Sequence, residues 1–129
     1  MKKVLVFGLL IALAACSSDK TEDNFGKPTT MDVKTMFDFG QVKQGEIVKA
    51  KFEITNTGDL PLNIVRVEPS CGCTVADFTK EPILPGEKGW VNAQVNTDRF
   101  EGEIRKSLNV MANTSPTSTT LIIKGDVLK

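Results

Sequence analysis

Residues 48–55 read VKAKFEIT. Val48, Ala50, Phe52 and Ile54 alternate with Lys49, Lys51, Glu53 and Thr55. Successive side chains of a strand point to opposite faces, so this stretch is a half-buried strand with one wet face. Working outward, WVNAQVNT (90–97) repeats the pattern with Val91, Ala93 and Val95 turned inward. SLNVMA (107–112) sets Leu108, Val110 and Ala112 against Ser107, Asn109 and Met111. TLIIKGDV (120–127) ends the series with Leu121, Ile123 and Val127 in phase. LNIVRVE (62–68) alternates less cleanly, as a strand does near a bulge or where both faces are covered. A first strand is expected around 33–37.

Turn signals separate these segments: GQVKQGE, NTGDLP, LPGEKG, DRFEGE and NTSPTS. No stretch after residue 30 offers three turns of helical periodicity. Short strands at this spacing predict an all-β, immunoglobulin-like antiparallel β-sandwich of about seven strands over residues 31–129. Asn56-Thr57-Gly58 is expected to end a strand with Gly58 at positive φ. Pro85-Gly86 fits the centre of a type II turn. Phe37 and Phe39 lie on one side of an extended segment and are expected to plug one end of the sandwich.

The 129-residue chain opens MKKVLVFGLLIALAACSS: two lysines, an apolar run from Val4 to Ala15, then small residues and a cysteine. A bilayer-spanning helix needs about 20 apolar residues, and the run is too short. The pattern is that of a cleaved export signal, a signal peptide helix over 1–15. Leu13-Ala14-Ala15-Cys16 resembles the lipobox of bacterial lipoproteins. That resemblance implies cleavage between Ala15 and Cys16, diacylglycerol on the Cys16 sulfur, and a firm membrane anchor from two or three acyl chains. Ser17 after the cysteine implies the outer rather than the inner membrane of the cell envelope, with the displaying face open. Residues 16–30 are polar and read as a lipidated, disordered tether.

Composition prunes function classes. Sixteen basic and sixteen acidic residues become fourteen and sixteen once Lys2 and Lys3 leave with the signal. No basic run recommends nucleic acid as a partner. The chain has no histidine, which removes Ser-His and Cys-His nucleophile pairs and imidazole metal ligands. It has no tyrosine and one tryptophan, a poor basis for an aromatic sugar platform. No small-molecule substrate, cofactor, catalytic set or metal set is evident. Glu101 and Glu103 flank Gly102 in an expected turn and read as solvated. Asn113-Thr114-Ser115 matches a glycosylation acceptor pattern, which in a bacterial lipoprotein reads as chance.

With Cys16 assigned to lipid, Cys71 and Cys73 in PSCGCT (69–74) are the remaining thiols. The envelope is a compartment able to oxidise them. Cα atoms two residues apart in an extended chain are separated by about 6.6–7 Å, beyond the 5.5–6 Å or so that a disulfide prefers. A bond therefore needs a bend at Gly72. Closing so short a loop stabilises by about 1.6 kcal/mol before strain. The pair is a poor staple, and a strained bond suits exchange. Against exchange, no helix follows the motif to lower a thiol pKa, and the nearest upstream cation is Arg66. Cu(I) suits two thiolates, whereas zinc lacks ligands. A pair that merely fixes a loop, a redox pair, and metal binding or intermolecular pairing all stay open.

The stretch from Phe37 to Thr97 resembles the bacterial family catalogued as domain of unknown function 1573. The residues that carry the resemblance are Phe37, Phe39 and Gly40; Asn56 to Gly58 with Pro61 and Leu62; Ser70 to Thr74; and Pro82, Ile83, Pro85, Gly86 and Glu87. It covers roughly Met36 to Val127. The resemblance implies an immunoglobulin-like fold related to the major sperm protein and abnormal-spindle/hydin domains, often exported as lipoproteins in Bacteroidetes. It places Ser70, Gly72 and Thr74 in one motif with the two cysteines and implies no activity. The reading that follows is a lipid-anchored, non-enzymatic interaction or scaffold module with an envelope protein partner. The alternative is a thiol-redox or Cu(I)-binding protein using Cys71 and Cys73.

Overall fold

The alternation of residues 48–55 sits at the centre of a two-sheet sandwich. A computed structural model describes residues 26–129. The signal peptide, the cleavage and lipidation at Ala15 and Cys16, and tether residues 16–25 lie outside the described residues. The strands are β1 (Met31–Val33), β2 (Met36–Lys43), β3 (Ile47–Asn56), β4 (Ile64–Pro69), β5 (Thr74–Phe78), β6 (Lys88–Asn96), β7 (Gly102–Ala112) and β8 (Ser118–Leu128). They form two four-stranded sheets, ordered β1-β3-β6-β5 and β2-β8-β7-β4. The architecture is the all-β, immunoglobulin-like sandwich expected, with eight strands among the described residues rather than about seven. Pairing is antiparallel except between β2 and β8, which run parallel.

The inward residues meet between the sheets. Val48, Ala50, Phe52 and Ile54 of β3 pack with Val91, Ala93 and Val95 of β6 on one side of the core. Leu108, Val110 and Ala112 of β7 and Leu121, Ile123 and Val127 of β8 close it from the other. Fully burying one such side chain contributes about 1.5–3 kcal/mol, so this interdigitated layer is the main source of cohesion. β4 carries the expected irregularity: its pairing with β7 shifts register between Ile64 and Arg66, and Val65 is pushed out to solvent.

Two differences from the sequence reading have physical causes. The single first strand expected around 33–37 is two strands, because the chain changes sheets at Lys34-Thr35. β1 pairs with β3, and Thr35 then accepts a hydrogen bond from Ile122 N as β2 joins β8. Switching sheets lets Met31 and Val33 pack from one sheet and Phe37 and Phe39 from the other. The alternation of β5 was hidden at its start, where Thr74 points inward and is buried while Val75 is 71% exposed; Ala76 and Phe78 pack against the core.

The turn chemistry divides the same way. Gly86 has φ +79° and Glu87 N donates to Leu84 O at 2.9 Å, the expected type II turn at Pro85-Gly86. Gly58 does not take a positive φ. It is required by close approach, since a Cβ there would run into Thr29 Oγ1 and Thr30 N. Asn56 is the hub of this end of the sandwich. Its Nδ2 donates to Leu60 O (2.7 Å) and Ile83 O (2.8 Å), and its Oδ1 accepts from Thr29 Oγ1 (3.2 Å) and Gly58 N (3.0 Å). Residues 27–30, read as part of the tether, lie against the body. Thr29 is buried and its N–H donates to Asn113 O.

Candidate functional site

β4 is an edge of one sheet and β5 an edge of the other, so Ser70 to Cys73 carry the chain across the corner of the sandwich. Thr74 N donates to Cys71 O at 3.3 Å, closing a turn with Gly72 and Cys73 at its centre. The turn is pinned on both sides. Ser70 N donates to Ser107 O (2.9 Å), with Ser107 N reaching back to Ser70 Oγ (3.3 Å); Asn96 N donates to Cys73 O (3.0 Å). Cys71 and Cys73 form a disulfide with Cα atoms 5.3 Å apart, the bend at Gly72 that the spacing demanded. Both cysteines are half-buried and Gly72 is exposed.

Thr74 stands under the bond. Its side chain is 5% exposed, and its Oγ1 lies 3.6 Å from Cys73 Sγ and 3.9 Å from Cys71 Sγ. A hydroxyl in this position can donate to whichever sulfur becomes a thiolate. Gly72 has a different status from the other motif glycines. Its φ lies outside the left-handed region, and a Cβ would meet nothing within 4 Å. Neither backbone strain nor packing within the chain demands glycine there.

Beside the turn lies an open cleft of about 580 Å³ that Gly72 and Cys73 line and Cys71 does not. Ile47, Val75 and Phe100 supply apolar walls; Gln94, Asn96, Asp98 and Arg99 supply polar ones. The wall from Gly45 to Phe100 is held by Thr97, which is buried. Its Oγ1 donates to Glu46 O (2.6 Å) and accepts from Gly45 N (3.0 Å), and its carbonyl accepts from Phe100 N (3.0 Å). Lys106 Nζ sits 4.0 Å from the centre of the Phe100 ring, a cation–π contact that steadies the ring.

Arg66, the nearest upstream cation in sequence, takes no part. It pairs with Glu68 (3.1 Å) and reaches Met111 Sδ (2.8 Å), away from the cleft. Arg99, Phe100 and Lys106 were not singled out from the sequence. The pairing of Val75 with Gln94 in the β5–β6 register brings Arg99 and Phe100, which follow β6, to the cleft beside the motif, and only that register would have revealed them. Glu101 and Glu103 are exposed and remain outside the cleft, with Glu101 3.9 Å from Lys129 Nζ. Asn113 is buried, and its Nδ2 is spent on Lys27 O and Pro61 O, which makes it a structural residue. Among the described residues, no three His, Cys, Asp or Glu side chains gather as metal ligands.

The family model described as "Protein of unknown function (DUF1573)" matches residues 30–127. The chain belongs to the DUF1573 family. Among solved structures, this DUF1573 domain is similar to a protein of unknown function from Porphyromonas gingivalis W83, with TM-score 0.68 and 22% identity over 79% of this chain and 48% of that one. It is also similar to the VesB protease of Vibrio cholerae, with TM-score 0.60 and 14% identity over 77% of this chain and 32% of that one. The ASH/PapD-like domain 7 of human CEP192 is similar over 88% of this chain and 96% of its own, with TM-score 0.60 and 12% identity. These likenesses show the fold alone. The DUF1573 domain spans about half of the Porphyromonas gingivalis chain and a third of the Vibrio cholerae one. No curated protein matches it.

Proposed function

We propose that this DUF1573 domain is an envelope thiol–disulfide module, anchored by lipid on Cys16 at the outer membrane, whose Cys71–Cys73 bond is exchanged with protein thiols. One observation carries the reading: the bond sits in a half-buried turn at a corner of the sandwich, pinned on both sides, beside a cleft that Cys73 lines. The core is complete without it. Because the loop it closes is so short, the bond stabilises the fold little. A bond with so little hold on the fold has a relatively oxidising potential and opens without unfolding the domain.

The chemistry balances as a two-electron exchange. A partner thiolate attacks one sulfur of the pair, forming a mixed disulfide and releasing the other cysteine as a thiolate that takes up a proton. A second thiolate of the partner attacks the mixed disulfide at the partner's own sulfur. The partner leaves oxidised, and the module leaves as a dithiol. Thr74 Oγ1 is placed to donate to the departing thiolate, the role that a helix N-terminus has in other dithiol proteins. The interaction role expected from the sequence is, in this reading, the docking of the exchange partner.

The test is equilibration of the purified domain in glutathione redox buffers, with the dithiol fraction read by alkylation and mass spectrometry. Structural disulfides lie below roughly −300 mV; a midpoint above roughly −250 mV supports exchange. A bond that resists the glutathione couple throughout removes the proposal. Mass spectrometry of the protein from native membranes tests the Cys16 lipid independently.

A further inference from the structure

The exchange reading leaves open which sulfur is attacked and by what kind of thiol. The cleft bears on both. Displacement at a disulfide needs the nucleophile in line with the bond, opposite the sulfur that leaves. Cys73 lines the cleft together with the bare backbone of Gly72; Cys71 does not. Gly72 presents no side chain to the approach, and among the described residues nothing lies within 4 Å of where its Cβ would be.

The walls describe the attacking group. Val75 on β5 and Ile47 on β3 are 71% and 49% exposed, and together with Phe100 they line the cleft beside its polar residues. Arg99 has no ion-pair partner among the described residues. A guanidinium free beside an apolar wall is suited to a carboxylate. Asp98, one residue away, makes a densely acidic ligand unfavourable. Glutathione offers no apolar side chain to such a surface; a polypeptide does.

We propose, resting on the exchange reading above, that Cys73 is the sulfur attacked and Cys71 the leaving group, and that the attacking thiol belongs to a polypeptide segment with an apolar residue beside its cysteine and one carboxylate in reach of Arg99. The mixed disulfide therefore forms between the partner cysteine and Cys73. Cys71 departs as the thiolate, within range of Thr74 Oγ1, and is protonated from water. β5 is an edge strand, paired only with β6 among the described residues, and can take an extended segment alongside it during this step.

Two N-acetylated pentapeptides test the proposal against the oxidised wild-type domain, one with leucine and glutamate beside its single cysteine and one with glycine only. Reactions are acid-quenched within the first turnover, free thiols are alkylated, and the adduct is mapped by fragmentation. The expected result is peptide on Cys73 and alkyl on Cys71. Half-burial of one leucine side chain predicts about a tenfold faster reaction for the leucine–glutamate peptide. That advantage shrinks towards unity in the double variant Val75→Asp, Arg99→Ala. Both changes are at exposed positions, and circular dichroism checks the fold. Adducts on Cys71, or spread evenly, overturn the assignment of the attacked sulfur. Equal rates for the two peptides overturn the partner chemistry. Either failure leaves the exchange reading standing if the glutathione titration gives an oxidising midpoint; an inert bond in that titration removes both.

Discussion

Reducing the Cys71–Cys73 bond should weaken the domain only slightly and leave its fold unchanged. The bond spans a sequence separation of 2, so the closed loop holds three residues. The chain-entropy relation gives about 1.6 kcal/mol for such a loop, against about 4.7 kcal/mol for a 100-residue one. With an m-value of about 2 kcal/mol/M, reduction lowers the urea midpoint by no more than about 0.8 M and leaves m unchanged, because the unfolded surface barely differs. Truncation of the fully buried Leu108 to alanine sets the scale, at about 2–5 kcal/mol. The assay is urea denaturation of the same preparation with and without reductant, followed by tryptophan fluorescence from Trp90. Amide exchange supplies a local readout: Ser70 and Asn96, which donate to Ser107 O and Cys73 O, should stay protected in the reduced form. A loss on reduction as large as that of Leu108→Ala, or loss of protection at both amides, would refute the reasoning. The bond would then be a staple, and the physical basis for exchange would be gone.

Other outcomes follow from the same structure. Asn56→Ala removes two donated and two accepted hydrogen bonds from a buried site, depriving Leu60 O, Thr29 Oγ1 and Gly58 N of this partner while Ile83 O keeps Leu62 N; chemical denaturation should show a loss of about 3 kcal/mol or more. Gly125→Ala should cost about 1–3 kcal/mol, because the new methyl meets the Phe39 ring, whereas Gly72→Ala should lie within about 0.5 kcal/mol of wild type. The hydrogen bond from Lys88 (2.8 Å), and then its charge, hold the Glu53 carboxyl below the ordinary glutamate range. A depressed acid contributes stability above its unfolded pKa and loses it as pH falls through the folded one, so the pair weakens on the acid limb; Lys88, raised by the same contact, loses its share on the alkaline limb. A carbon-detected titration should place Glu53 below a free glutamate, and Lys88→Met should return it upward.

What was legible in the sequence was whatever the two-residue period controls. β3, β6, β7 and β8 bury alternate residues against a common core, and each announced itself by that alternation. β4 announced its bulge by breaking the pattern at Val65. β5 was illegible because at its start a valine points outward into the cleft and a threonine points in, although Ala76 and Phe78 behind them pack against the core. The first strand was misread as one because alternation does not report a change of sheet. The site was legible only as a pair of cysteines. Arg99 and Phe100 lay in a segment read as a turn, and the strand pairing that sets them beside Cys73 is a long-range fact.

The glycines sort the motifs by what each one does. Gly86 is fixed by its backbone, and Gly58 and Gly125 by neighbours that leave no room for a side chain. Each is thus explained within the folded chain. Gly72 is not: its backbone is ordinary, its surroundings are open, and the turn around it is pinned by its neighbours rather than by itself. Its bareness matters only to something approaching from outside. Substituting it should therefore separate two quantities that move together at the other glycines, leaving stability alone while slowing attack on the bond. A bulky residue such as Gly72→Leu would stand in the mouth of the cleft beside Cys73. If the bond is only a local clamp, exchange with a peptide thiol and resistance to urea will change together or not at all. If the cleft is the approach, the exchange rate will fall while the urea midpoint stays where it was.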